Sequence, residues 1–173
     1  EQILAGDFAT FYRQKRPELA RDDEDNPTHP PRAAKVPQSD HLGDYELHRS
    51  AHGFYSIRQI SSGEIMHSVS APSEEANRLY IEQSALAARL KNYNESTGEL
   101  VIWDVGLGAA TNAMAAVQCF ERCHAENSSN KLRPLRLISF EVDLDALRLA
   151  TKHSPCFPHL HHSAPSKILA QGS

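Results

Sequence analysis

The sequence has few cysteines, no long apolar run and no excess of positive charge. Three cysteines in 173 residues are too few for a disulfide framework and cannot all pair, which indicates a reducing, cytoplasmic setting. No stretch reaches the roughly 18–20 consecutive apolar residues of a membrane-spanning helix, and no signal-peptide pattern is visible, so we expect no membrane insertion. The net charge of -4 argues against a nucleic-acid surface over the whole domain and leaves a local basic patch open.

Several common catalytic motifs are also missing. The sequence has no Gly-x-Ser-x-Gly element, no P-loop and no paired-carboxylate pattern, so hydrolysis and phosphoryl transfer are poorly supported. The composition, 40% hydrophobic and 23% charged, is typical of one globular domain. Because the sequence begins at Glu1 rather than Met and the segment Ser163–Ser173 shows no closing element, we expect a fragment of a longer protein.

Composition divides the chain into a polar tail, residues 1–39, and a folded portion, residues 40–173. The acidic and proline-rich stretch 21–38 cannot bury enough apolar area to offset its ordering entropy. We therefore expect a disordered linker there, with a docking role as the alternative.

Hydrophobic periodicity predicts the elements of the folded portion. Period-two alternation predicts an antiparallel meander over residues 44–70, with a third strand at Glu64–Val69, and a single amphipathic helix follows over residues 72–93. The later elements are a strand at Leu100–Val105 buried on both faces, a helix from Thr111 to about Cys123, a strand at Leu135–Phe140, and a helix from Leu144 to His153 with Asp143 as its N-cap. This alternation predicts an α/β fold with a mostly parallel sheet.

A pair of glycines, Gly106 and Gly108, lies directly between a predicted strand and a predicted helix. Such glycines let the backbone turn and approach a ligand, and the helix start supplies unpaired N–H groups. Thr111 stands where a dinucleotide fingerprint has its third glycine, which weakens an NAD interpretation. Asp104 lies at the end of the first predicted strand, before Gly106, and Glu141 immediately follows the second strand, as a nucleoside cofactor without a pyrophosphate requires. The sequence therefore predicts a cofactor half-site over residues 100–153; an ordinary tight turn is the alternative.

These motifs together resemble the MnmC-like methyltransferases, over about residues 44–173. The Gly-Glu-x-x-His-Ser element makes the resemblance specific, because it is not general among Rossmann-like methyltransferases. The stretches that carry it are Gly63–Ser68, Glu74–Gln83, Asp104–Gly108 with Asn112, and Ile138–Glu141. The resemblance implies a class I Rossmann-like methyltransferase fold, preceded by a small antiparallel meander and truncated after the second core strand.

The resemblance also implies S-adenosyl-L-methionine as cofactor, tRNA as partner, and N-methylation of the 5-aminomethyl group of the wobble uridine. It implies the following site residues: Asp104, Gly106, Leu107, Gly108, Asn112 and Glu141 against the cofactor, and Glu64 and His67 at the mouth of the site. Ala110 departs from the family pattern, which has glycine there, and is expected to narrow the backbone's approach to the cofactor. Later acidic segments and the flavin-dependent oxidase domain of some members are not represented, so we expect this chain alone to be inactive.

Two alternatives remain open: a same-fold methyl- or aminopropyltransferase for a small amine, and a non-catalytic fragment. Open sheet edges predict association or marginal stability. The three cysteines and the nearby histidines, His159, His161 and His162, suggest zinc by residue type, but their spacing does not fit the common structural sites, so we expect no metal. Cys119 and Cys123, one helical turn apart, fit core positions instead.

Overall fold

The computed structural model describes residues 40–67, 70–94, 98–126 and 131–171, together with Arg13. The predicted tail, residues 1–39, lies outside the described residues apart from Arg13. The described chain forms a three-stranded antiparallel sheet and a two-stranded parallel sheet with helices between and after them, which confirms the α/β class. None of the described helices is long and apolar enough to cross a membrane.

The antiparallel meander consists of β1 (His41–Leu42), β2 (Tyr45–Arg49) and β3 (Tyr55–Gln59), paired in that order. The predicted third strand over Glu64–Val69 is wrong: a single bridge joins Ile65 to Arg58, and residues 68–69 lie outside the described residues. The ladder ends there because the N–H of His67 donates to the Ser56 hydroxyl over 3.2 Å rather than to a backbone carbonyl.

The single helix predicted over residues 72–93 is also wrong. The segment consists of α1 (Pro72–Ala76), a π-helical turn (Asn77–Glu82) and α2 (Leu86–Lys91). Ala85 interrupts it with φ at 51°, in the left-handed region. The wider π turn rotates the apolar face, so Ile81 is only 7% exposed whereas the adjacent Tyr80 is 50% exposed.

The parallel sheet pairs β4 (Leu100–Val105) with β5 (Leu135–Phe140), as predicted. The helices that follow the strands are α3 (Thr111–Glu126), α4 (Asp145–Lys152) and α5 (Ser163–Gln171), with two 3₁₀ turns, Ser154–Cys156 and Pro158–His161, before α5. Helix α4 begins after Leu144, not after Asp143, although the Asp143 carboxylate accepts the N–H of Asp145 over 2.8 Å. The expectation of no closing element after residue 162 is wrong, because Ile168 and Leu169 of α5 pack on the core.

Burial of β4 on both faces is not observed. Leu100 is buried, whereas Trp103 and Val105 are 68% and 81% exposed. The helices from α1 to α3 cover the face with Leu100 and Ile102, and no described element covers the other face. A continuous apolar run therefore lies on a sheet that is packed on one side in the described part of the chain.

Two apolar clusters meet near the start of α3. One joins the meander to α4 through residues such as Ile57, Met114 and Leu149, and the other joins α1 and α2 to β4 through the buried side of α3. Cys119 and Cys123 lie in the second cluster and are buried, which agrees with core positions. The loop from β4 to α3 packs on the first cluster through Leu107, Ala109 and Ala110.

Candidate functional site

The turn after β4 depends on its two glycines. Gly106 and Gly108 have φ angles of 83° and 51°, in the left-handed region where only glycine is at ease. The N–H of Gly106 donates to the Phe140 carbonyl over 2.9 Å, and the N–H of Ala110 donates to the Leu107 carbonyl over 2.7 Å. The first bond extends the parallel ladder by one residue, and the second closes the turn immediately before α3 begins at Thr111.

Glu141, the first residue after β5, is tied to this turn. Its Oε2 accepts the N–H of Gly108 over 2.8 Å, and its Oε1 accepts the N–H of Val142 over 2.8 Å. Both strand ends thus meet through one exposed carboxylate, at the edge of a parallel sheet where ligands commonly bind.

A cavity of about 430 Å³ opens at this edge, within the roughly 300–1,000 Å³ of small-molecule sites. All predicted site residues except Asp104 line it: Glu64, His67, Gly106, Leu107, Gly108, Asn112 and Glu141. The meander supplies one wall, α1 and the π turn a second, and the glycine turn the floor.

Asp104 lies in the adjoining groove rather than in this cavity. Its Oδ2 accepts the Ser139 hydroxyl over 2.8 Å, across a register pair of the parallel sheet. Burial raises the pKa of this carboxyl, the Ser139 hydrogen bond opposes the rise, and the charge of Glu141 adds to it. Asn112 and Val105 line both spaces and so connect them.

His67 also lines this cavity. Its Nδ1 lies 3.5 Å from Oε1 of Glu75, and the two side chains are 12% and 23% exposed. Burial lowers the pKa of His67, and Glu75 partly opposes this through its charge and hydrogen bonding. The imidazole is therefore neutral at physiological pH and lies beside a carboxylate.

His159 contacts the backbone of the glycine turn at Ala109. Its Nε2 lies 2.8 Å from the Ala109 carbonyl, so this nitrogen carries the proton and donates it. The Thr111 hydroxyl lies 3.4 Å from the same nitrogen. Burial lowers the pKa of His159, the bond to Ala109 opposes this, and the nearby His67 lowers it further.

The described lining of the cavity is acidic. Glu64, Glu75 and Glu141 contribute carboxylates, and no Lys or Arg stands among the described lining residues. Burial, together with the charges of nearby acids, raises the pKa of Tyr45 on the same wall. Such a surface favours a cationic ligand over a phosphate.

Ala110 adopts φ of 60°, a left-handed conformation that glycine adopts more easily, and it is 1% exposed. It packs in the core and is not among the described lining residues of the cavity. The expected narrowing at Ala110 therefore stays a prediction.

Sequence reasoning did not find several lining residues: Tyr45, Gln59, Met66, Glu75, Tyr80 and Thr111. Tyr45 and Gln59 are partners across β2 and β3, and only the fold brings that pair to the glycine turn. Glu75 belongs to the Glu74–Gln83 stretch, but an acid in the first turn of a helix is expected from the helix dipole alone, so its position in the sequence does not mark it as a site residue. Met66 lies inside the Gly63–Ser68 element, which was the available signal.

No group of three or more His, Cys, Asp or Glu side chains placed to hold a metal ion occurs in the described part of the chain. Cys156 is partly exposed and unpaired, like the two buried cysteines of α3. The suggested zinc ligands are thus not assembled among these residues.

No family model and no curated protein matches this sequence. Among solved structures, the chain is similar to the crystal structure of MnmC2 from Aquifex aeolicus, with 16% sequence identity and a TM-score of 0.47. The alignment covers 83% of this chain and 44% of that one, so this chain spans less than half the length of that protein.

Proposed function

We propose that this protein is an S-adenosyl-L-methionine-dependent methyltransferase of the cytoplasm that methylates the 5-aminomethyl group of the tRNA wobble uridine. One observation supports the assignment of the cofactor. The Gly106–Gly108 turn after β4 and Glu141 after β5 are joined by a 2.8 Å hydrogen bond, and both line the same cavity. The sequence element Gly63–Ser68 carries the substrate part, because it underlies the resemblance to the MnmC-like enzymes.

The residues present fit this cofactor. A Cβ atom built on Gly106 meets nothing within 4 Å, so the backbone there faces open space that a ligand can occupy. The buried Oδ1 of Asn112 has no hydrogen-bond partner among the described residues and lines the same cavity. Carboxylates without a neighbouring Lys or Arg suit a sulfonium cation.

When bound, the cofactor supplies a methyl group activated by its positively charged sulfur. Glu141 would accept hydrogen bonds from the ribose hydroxyls through carboxylate lone pairs that the N–H groups of Gly108 and Val142 do not use. The Gly106–Gly108 backbone would approach the methionine end, and Asn112 would use its unpartnered amide oxygen. Glu64 and His67 would hold the substrate amine at the mouth, where positioning of a neutral nitrogen is the main requirement.

A methyl- or aminopropyltransferase for a small amine is the second candidate. The acidic cavity lining and the net charge of -4 favour it, since neither attracts an RNA backbone. Binding of an anticodon stem-loop to the chain at moderate salt separates the two candidates, because the small-amine enzyme requires no RNA contact.

The cofactor assignment is tested by isothermal titration of S-adenosylmethionine into the whole chain and into two variants, Glu141→Ala and Gly106→Val. We expect both variants to lose at least about tenfold in affinity, which corresponds to 1.4 kcal/mol or more. Glu99→Ala is the matched control, because Glu99 precedes β4 at the opposite end of the sheet and pairs with Arg136 at 3.3 Å. Unchanged affinity in both site variants would overturn the assignment.

A further inference from the structure

Glu75 lies on α1, in a stretch whose acids the sequence explains by the helix dipole alone. In the structure its side chain turns into the 430 Å³ cavity and ends beside His67. Its neighbour Glu74, one position earlier, is exposed and does not line the cavity. Both acids therefore lie in the first turn of α1, but only the side chain of Glu75 reaches the cavity.

The His67–Glu75 pair is held from both sides. The backbone N–H of His67 donates to the hydroxyl of Ser56, which is 1% exposed on β3. The hydroxyl of Ser70 donates to Oε2 of Glu75 over 3.3 Å and leaves Oε1 directed toward His67. Both partners of the pair are thus anchored by neutral hydroxyl groups.

The geometry selects one tautomer. Nδ1 of His67 lies 3.5 Å from Oε1 of Glu75, an ion-pair contact, and makes no hydrogen bond to any described residue. A carboxylate only accepts hydrogen bonds, so the proton of the neutral imidazole belongs on Nδ1 and the lone pair on Nε2. This is the arrangement that makes an imidazole a proton acceptor oriented by an acid.

We propose that Glu75 is a positioning residue that makes His67 the proton acceptor for a cationic amine bound in the cavity. This inference rests on the proposed function. The substrate ammonium gives one proton to Nε2 of His67, which leaves the amine neutral and the imidazolium beside Glu75. The amine nitrogen then forms a bond to the methyl carbon while the carbon–sulfur bond breaks, with its electron pair going to sulfur. The imidazolium returns its proton to solvent.

Other charged groups face this pair. His159 approaches from the 3₁₀ turn and disfavours a second positive charge, and Glu64 and Glu141 line the same cavity. The separation of 3.5 Å exceeds the roughly 2.7–2.9 Å of a charge-assisted hydrogen bond, so we expect the contact to shorten when His67 gains a proton.

Nitrogen-15 NMR of the imidazole tests the pairing in the whole chain, without any need for activity. In the wild type we expect the Nδ1–H tautomer of neutral His67. In Glu75→Gln we expect a larger Nε2–H population and a lower pKa of His67, because the nearby negative charge is gone. Glu74→Gln is the matched control and leaves both readings unchanged. An Nε2–H tautomer in the wild type, or a titration that Glu75→Gln does not alter, overturns the pairing.

In the full-length protein, the pH dependence of methyl transfer to an anticodon stem-loop that carries 5-aminomethyluridine tests the acceptor role. Glu75→Gln lowers the rate by about 10–100-fold near neutral pH, and the deficit shrinks at high pH, where the amine is neutral without help. A deficit that is constant with pH contradicts proton acceptance and indicates a structural role. A full-length wild-type protein that binds no S-adenosylmethionine and transfers no methyl group overturns the proposed function and the acceptor role with it, whereas the NMR result still decides the pairing.

Discussion

The N–H of Gly108 donates to the Glu141 carboxylate over 2.8 Å, although 33 positions separate the two residues in the sequence. One follows β4 and the other follows β5, so this bond ties together the two loops at one edge of the parallel sheet. Val142 donates a second N–H to the same carboxylate, which fixes its orientation with two backbone donors. A ligand hydroxyl at this edge therefore meets an acceptor that is already oriented.

Gly108 also leaves space for the side chain of Met66, which packs against it. A Cβ atom added there would lie 2.8 Å from the sulfur of Met66, and φ of 51° strains any residue with a Cβ. We expect Gly108→Ala to destabilise the chain by about 1–3 kcal/mol, of which about 1–2 kcal/mol is backbone strain. Urea unfolding of Gly108→Ala in a Met66→Ala background isolates that strain, because the clash is then absent. Equal costs in both backgrounds would show that Met66 moves aside freely.

Two alanines occupy left-handed backbone conformations, and their replacement by glycine is expected to differ. Ala85 has φ of 51° and is exposed, so Ala85→Gly stabilises by about 0.5–1 kcal/mol through relief of strain. Ala110 has φ of 60° but is 1% exposed, so Ala110→Gly also loses a buried methyl group worth about 0.8 kcal/mol. We expect the second change to be close to neutral. Urea unfolding compares them, and a larger gain at Ala110 would contradict this balance.

The strand–turn–helix unit at the centre of the site could be predicted from local sequence. Apolar runs at Leu100–Val105 and Leu135–Phe140 and the glycines after the first run determine these elements with little outside help. Residues that belong to this unit, such as Asn112, therefore occur where the pattern placed them. Their part in cofactor binding stays a prediction.

Features that depend on tertiary packing were not predictable in the same way. No glycine or proline marks the break at Ala85 in the sequence. The break accompanies the packing of α1 and α2 on α3, which only the folded structure shows. The strand expected over Glu64–Val69 ends because the buried Ser56 hydroxyl takes the N–H of His67. Glu75 looked like an ordinary helix-start acid, because its neighbour in space, His67, lies on a different element.

Buried histidines make the stability of this chain sensitive to mild acid. Burial holds the pKa of His159 below its usual 6.5, so the unfolded chain binds the proton more readily than the folded one. The contribution of neutral His159 to the free energy of unfolding is therefore fully present above about pH 6.5. It is lost as the pH falls from there through the lowered pKa of the folded chain. His159→Gln keeps a donor for the Ala109 carbonyl without a titrating group, and we expect it to lose less stability between about pH 7.5 and 5. Urea unfolding at both pH values measures this.

His161, which is exposed on the same 3₁₀ turn, provides the matched control. We expect His161→Gln to keep the pH dependence of the wild type. Equal acid sensitivity in the wild type and in His159→Gln would show that burial of His159 does not contribute to it and would direct attention to His67, whose pKa burial also lowers.

Asp104 gives a pH effect of the opposite sign. Burial raises its folded-state pKa above the ordinary value of 3.8, so the ionised carboxylate destabilises the folded chain at neutral pH, and this penalty declines as the pH falls through the raised pKa and is absent below 3.8. Asp104→Asn keeps an oxygen that accepts the Ser139 hydroxyl and removes the charge. We expect it to unfold at higher urea concentration than the wild type at pH 7, with an advantage that shrinks toward acid. Glu82→Gln, at an exposed position at the end of the π turn, controls for the loss of one negative charge. If both variants gain equally at every pH, the gain comes from net charge and not from the burial of Asp104.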